Sequence, residues 1–355
     1  MAPPSTSTSS TGERETFSWP GARLWERYGP GLLLTGTIAL AASFVSEHLG
    51  GPVMLYALLF GIAFHFLSTD KACAPGVMFS AKSVLRFGVA LLGVRITLGE
   101  VAALGMPTVS LIVLGVAFTL LSGWAIGRAL GLRSDHAILS AGAVAICGAS
   151  AALAISTVLP RHANAERQTI MTVVGVTALS TVAMVLYPIL AQSLGLSDKA
   201  AGIFIGATIH DVAQVVGAGY MISDEAGETA AIVKLMRVAC LVPVVIGIGL
   251  LFSRQAKEAG EADDTSSVPL LPTFLVAFVL IMVANSIGLI PAPVAEFGSQ
   301  VSRWALIMAV AALGVKTSLK EVFSMGAAPI TVLSAQTVAL AVFALIGLTF
   351  FVMSV

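Results

Sequence analysis

Four long stretches of this 355-residue chain, 137–160, 168–197, 265–295 and 322–355, contain no Asp, Glu, Lys or Arg. Each offers the roughly 20 mostly apolar residues that a helix needs to cross a bilayer. In lipid the backbone must satisfy its own hydrogen bonds, so runs of this kind fold as helices. Composition agrees: 57% of residues are hydrophobic and 11% charged, against about 25% charged in an ordinary soluble domain. The mean hydropathy is +0.95. The chain reads as an all-α polytopic membrane protein.

Its formal net charge is zero, so no overall basic field points to nucleic acid. The three cysteines, Cys73, Cys147 and Cys240, are scattered and odd in number. Their spacing suits neither a disulfide framework nor a metal site. Residues 1–28 are polar, rich in Ser, Thr and Pro, and lack the basic start and apolar run of a signal peptide. They are expected to form a flexible tail with a short interfacial helix around 19–25, ahead of a transmembrane domain over 29–355.

Eleven spans are expected, near 30–47, 51–68, 83–103, 108–127, 136–158, 168–192, 199–222, 232–252, 271–290, 298–318 and 328–353. With the N-terminus on the cytoplasmic side, 13 of the 19 Lys and Arg fall on inner segments, as the positive-inside rule asks. The C-terminus then lies outside, in the periplasm of a bacterial inner membrane. This count places Arg161 and Arg167 outside and Lys199 inside. The stretch 253–269 is the one long soluble loop, expected to be a cytoplasmic joint.

Two stretches resemble each other. RFGVALLGVRITLG (86–99) and RWALIMAVAALGVKTSLK (303–320) both run through LGV to a cation, a hydroxyl residue and a Leu. A second pair is GAVAICGASAALA (142–154) and GATIHDVAQVVGA (206–218). Short, Gly-interrupted helices at corresponding places point to the inverted repeats of a secondary transporter and to its midplane site. The halves are taken as about 50–195 and 196–355, although the first pair implies a different boundary.

Polar groups in the apolar runs mark the candidate site. Around Cys147, Gly148, Ala149 and Ser150 a helix break would expose N–H groups and a positive dipole end, which suits an anion. A small-residue packing face is the plainer reading. His210, Asp211 and Gln214 stand in the second Gly-rich run. An ionisable residue within a membrane is a functional candidate. Asp211 could hold a proton, help coordinate a cation, or neutralise Arg95 or Arg237; His210 could donate to an anion or titrate near neutral pH. Arg95, and Lys316 with Thr317, end the two LGV runs, as oxyanion partners or as snorkelling side chains. Asn285 reads as an interhelical hydrogen bond. Nucleotide-loop, zinc-protease and nucleophile-elbow motifs are absent from the sequence, so an ATP-driven pump is not expected.

LRFGVALLGVRITL (85–98), ICGASAALA (146–154), GATIHDVAQVVGAG (206–219) and ALGVKTSLKE (312–321) together resemble the sulfate exporter family of YeiH-like bacterial inner-membrane proteins. That family is in turn distantly similar to the bile-acid-symporter and sodium/proton-antiporter group. The resemblance implies inverted repeats, a panel and a core domain, two crossing discontinuous helices and transport driven by an ion gradient. It also implies sulfate or an organosulfonate as substrate.

The expected function is therefore secondary transport of a small anion by alternating access, not enzymatic catalysis. Arg95, Cys147, Gly148, Ala149, Ser150, His210, Gln214, Lys316 and Thr317 are the candidates for the substrate, and Asp211 with His210 for the coupling H⁺ or Na⁺. No other cofactor is expected. Expected partners are a small anion, the lipid bilayer and a second copy in a homodimer. The alternatives are an intramembrane enzyme using Cys147 and His210, or a channel or sensor.

Overall fold

The computed structural model describes residues 20–160, 162–258, 273–317 and 327–352; their regular structure is all helix, with no strand among them. Among the described residues, seven helices are long and apolar enough to cross a membrane. They are α1 (Pro20–Leu49), a run joining α3 (Ala74–Phe79) to α4 (Leu85–Leu91), α6 (Gly105–Ala129), α9 (Ala165–Ser193), α12 (Asp224–Ala239) continued by α13 (Leu241–Glu258), α15 (Ala292–Lys316) and α16 (Ala327–Gly347). Two shorter apolar helices, α2 (Val53–Ala63) and α14 (Thr273–Ser286), accompany them, and a short α5 (Leu98–Ala103) precedes α6.

The expected tail gives way to helix earlier than the sequence suggests. α1 starts at Pro20 and passes through Pro30 without a break. Residues 1–19 and 259–272, which hold most of the expected tail and soluble loop, lie outside the described residues.

One group of helices packs through small residues. On α2, Gly61 sits against the Ala311 carbonyl and Gly314 of α15. A side chain at either glycine would strike backbone, so the two helices approach as closely as backbones allow. Such contacts drive association where lipid offers no hydrophobic gain. α1, α3, α4 and α14 complete this group. The second group contains α6, α9, α12 and α16 around four half-helices: α7 (Ser134–Ala145), α8 (Ala149–Ser156), α10 (Asp198–Thr208) and α11 (Val212–Tyr220). Its core is rich in alanine, including Ala141, Ala143, Ala145, Ala151 and Ala152, all fully buried.

The span map needs a correction here. The fifth and seventh expected spans do contain breaks, but neither crosses the membrane. α7 and α8 would measure about 18 and 12 Å. Were they collinear, Ser156 would end some 30 Å from Asp135, and six extended residues reach at most about 21 Å. Yet His162 Nε2 lies 2.8 Å from Asp135 Oδ2, and Gly142 of α7 packs against Ile155 of α8. The pair is a re-entrant hairpin. The second break behaves the same way. α10 runs parallel to α12, with Gly202 against Thr229 and Gly206 against Val233, whereas α11 returns so that Gly219 and Tyr220 meet Gly227.

The two hairpins enter from opposite faces. Lys199 at the start of α10 donates to the Ala103 carbonyl at 2.9 Å, beside the start of α6. Asp135 at the start of α7 follows the end of α6. The loop before α9 thus shares a face with Arg133, and Lys199 shares one with Arg95. Both placements reverse the side that the charge count gave to Arg167 and Lys199. Arg161 lies outside the described residues.

Candidate functional site

The hairpin tips meet at mid-depth. At the first, α7 ends at Ala145 and α8 begins after Gly148, whose φ is +64° and ψ −121°. Only glycine takes this conformation without strain. The missing side chain matters as well, because a Cβ there would stand 3.3 Å from the His210 Cβ. At the second tip Ile209 and Asp211 are extended, and Asp211 caps α11 by accepting from the Ala213 N–H at 2.8 Å.

Each tip leaves one helix C-terminus and one helix N-terminus in the middle of the bundle. A C-terminus carries unpaired carbonyls and about half a negative charge. Both C-termini are closed by α12. Lys234 Nζ donates to the Ile146 carbonyl at 2.7 Å and the Ile209 carbonyl at 2.9 Å. Arg237 donates to Val144 at 2.8 Å, to Ala145 at 2.9 and 3.1 Å, and to Gly206 and Ile209 at 3.2 Å each. Lys234 is 0% exposed and Arg237 1%. Among the described residues neither forms an ion pair with a carboxylate. Their positions, three apart on one helix, put both heads on one face, about 15–20 Å below the start of α12. That is about the centre of a 30 Å hydrocarbon layer.

The second tip is tied to its neighbours by hydroxyl groups. Ser180 Oγ on α9 accepts the N–H groups of His210 at 3.2 Å and Asp211 at 3.1 Å. The His210 Nε2 shares a 3.0 Å hydrogen bond with Thr337 Oγ1 on α16. Gln214 Nε2 donates to Thr181 Oγ1 at 2.7 Å, while its Oε1 is buried without a partner among the described residues. The two helix N-termini are less closed. Ser150 is exposed, and Ala149, Asp211 and Val212 are half-buried.

The structure thus gathers Cys147, Gly148, Ala149, Ser150, His210, Asp211 and Gln214 at or beside the tips. It does not bring Arg95, Lys316 or Thr317 there. Lys316 and Thr317 end α15, where the preceding Val315 carbonyl lies 2.8 Å from His65 Nδ1. Arg95 lies near the other face. It pairs with Glu228 at 2.7 Å, approaches Asp224 at 3.8 Å and stands over the Tyr220 ring. There it lines a cavity of about 200 Å³ together with Tyr220, Ser223, Asp224 and Arg303. Asp211 neutralises neither Arg95 nor Arg237, since the first has its own carboxylates and the second its carbonyls.

Lys234, and Arg237 in any role but a counter-charge for Asp211, are what the sequence reading missed. The acidic run DEAGE at 224–228 looks like a loop, which sets the eighth span to begin at 232 and leaves both cations at a membrane boundary. The signal was the spacing itself: two cations three residues apart inside IVKLMRVACLV.

A family model described as conserved hypothetical protein 698 matches residues 30–333. The chain is 50% identical over 339 residues to the UPF0324 membrane protein CT0845 of Chlorobaculum tepidum, covering 94% of each chain. It is 51% identical over 332 residues to the UPF0324 membrane protein TauZ of Paracoccus denitrificans, covering 93% of this chain and 97% of the relative. A Rhizobium meliloti relative, RB0971, is 50% identical over 321 residues, covering 90% and 92%. With its apolar helices and these relatives, the chain is a multi-pass membrane protein that belongs to the UPF0324 family, the YeiH-like family.

Proposed function

We propose that this protein is a secondary transporter of a small anion, sulfate or an organosulfonate, and that the anion binds where the two hairpin tips meet. One observation carries the reading: both helix C-termini at the tips are closed by buried cationic side chains, while at the same junction the α11 N-terminus is capped by Asp211 and the α8 N-terminus, with no side-chain cap, is left for a ligand. Arg237 keeps its charge in any protein environment. With Lys234 charged, the junction holds two cations and two positive dipole ends against two negative dipole ends and the carboxylate of Asp211, about +3 against −2. The balance favours an anion.

In this reading the oxyanion lies on the free N–H groups of Ala149 and Ser150 and on the Ser150 hydroxyl, with His210 and Gln214 beside it. Asp211 is the residue that couples, by taking up a proton or by meeting a cationic group of the substrate. Two relatives carry the name TauZ. An aminosulfonate would present a sulfonate to the α8 N-terminus and an ammonium to Asp211. Opposed hairpins support alternating access, because each closes the junction from one face, and the pairing of similar stretches supports an inverted repeat. The N-terminus is assigned to the cytoplasm and the C-terminus to the periplasm.

Counterflow in proteoliposomes with radiolabelled sulfate and taurine tests the proposal. Exchange of either compound is expected, with loss of exchange in Gly148→Val. A protein that stays folded and exchanges no inorganic or organic anion would refute it.

A further inference from the structure

Unwound carbonyls and half-helix C-termini are the groups with which broken-helix transporters hold a coupling sodium ion. Here the carbonyls of Val144, Ala145, Ile146, Gly206 and Ile209 converge on the junction, and every one of them already accepts a hydrogen bond from Lys234 or Arg237. Asp211 is the carboxylate at the second tip, and its Oδ1 is engaged with the Ala213 N–H. A sodium ion entering here would have to displace two fully buried side chains and find other acceptors for their donors.

We infer that Lys234 and Arg237 stand permanently in the coordination positions that a coupling sodium ion would need, so that the carrier works without sodium. This rests on the proposed anion-transport reading for its functional consequence, but the occupancy of the carbonyls stands apart from it. Coupling is then left to a proton or to the counter-transported anion. It also explains the residue types. Arginine has a fixed fork of donors that serves Val144 and Ala145 on one hairpin and Gly206 and Ile209 on the other. Lysine has a compact head that bridges Ile146 and Ile209. Together they join the two tips without any ion that could be lost.

The test uses the purified full chain in two assays. Thermal unfolding of the wild type in detergent is compared in sodium chloride and in choline chloride at equal ionic strength. The same melting temperature is expected in both, whereas a saturating site for sodium would raise it by several degrees in sodium. Lys234→Ala uncovers the Ile146 carbonyl and leaves the Ile209 carbonyl with Arg237 alone, so this variant is expected to gain a sodium-specific rise that Lys234→Arg lacks. Counterflow of radiolabelled sulfate is expected to run at the same rate, within about twofold, in either salt.

A sodium-specific rise in the wild type, or a flux that depends on sodium, overturns the inference. So does a Lys234→Ala protein that folds and shows no response to sodium. Should Lys234→Ala fail to fold, the wild-type comparison decides. Absence of sulfate flux in both salts counts against the transport reading, and the melting temperatures still decide this one.

Discussion

Ser180 offers the sharpest test of how the second tip is held. Its hydroxyl is fully buried on α9 and accepts two backbone N–H groups, from His210 and Asp211. Substitution by alanine removes one oxygen and creates almost no cavity, so the effect is one of hydrogen bonding rather than of packing. Each buried N–H left without an acceptor costs about 1–3 kcal/mol. Both are lost together, and some relaxation of the loop is expected, which puts the cost at about 2–4 kcal/mol. Since every 1.4 kcal/mol is a factor of ten, the amides of His210 and Asp211 should exchange with deuterium about 30- to 1,000-fold faster in Ser180→Ala. Amides of α2 and α15, which Ser180 does not touch, should be unchanged. Hydrogen exchange read by mass spectrometry over peptides covering 205–216 makes the measurement. Ser180→Cys, which keeps a weak acceptor, should fall between. Exchange in Ser180→Ala within threefold of the wild type would show that the tip is held by its neighbours and not by this hydroxyl.

Gly148→Ala should cost about 1–3 kcal/mol, because alanine resists a φ of +64° and its Cβ would crowd His210; thermal unfolding of the purified variant reads it. Asp211→Asn keeps a good helix cap and removes the charge, so stability should change by less than about 1 kcal/mol while the pH dependence of counterflow flattens; a profile identical to the wild type would remove Asp211 from coupling. Glu228→Gln leaves Arg95 with the more distant Asp224, and since the pair is part-exposed the loss should be about 1 kcal/mol or less, seen as a small fall in melting temperature that high salt reproduces in the wild type. Asp70 lies in a loop, and its carboxylate accepts the N–H groups of Cys73 and Ala72, which lower its pKa below 3.8. A depressed carboxyl stabilises above its unfolded pKa and loses that contribution as the pH falls through the folded value. Protection of the Ala72 and Cys73 amides should therefore hold at neutral pH and decline below about pH 4, whereas Asp70→Asn should show no such decline.

The class of fold was legible because it depends on sums. Long uncharged runs can do little else than enter a bilayer, and the positions of most spans follow from where charges interrupt them. The two breaks were legible too, since Gly148 and the His210–Asp211 pair are poor material for a continuous helix. What the sequence did not disclose is the direction taken after each break. A helix that pauses at a glycine and one that reverses there have the same local composition. The difference lies in distant contacts such as His162 with Asp135 and Gly219 with Gly227. Hydropathy counts both kinds as one span, so the loops between the first error and the second inherit the wrong face, and the second error restores it. Arg167 and Lys199 were misplaced by that route.

The same argument explains why the buried cations were overlooked while Arg95 was not. Arg95 follows an apolar run and is flanked by a turn, so it stands out, and the structure gives it carboxylate partners at the rim. Lys234 and Arg237 lie in a helix whose acidic first turn, Asp224 and Glu225, follows the Ser223 cap. The capping signals are those of any soluble helix, and they disguise a helix start that is already within reach of the membrane. Burying two unpaired cations is costly unless their donors are satisfied. Only the meeting of two hairpin C-termini, 88 and 25 residues distant in sequence from Lys234, supplies enough carbonyls to do it. The cations require the hairpins and the hairpin ends require the cations, so neither half of the arrangement is readable until the chain has been folded around both.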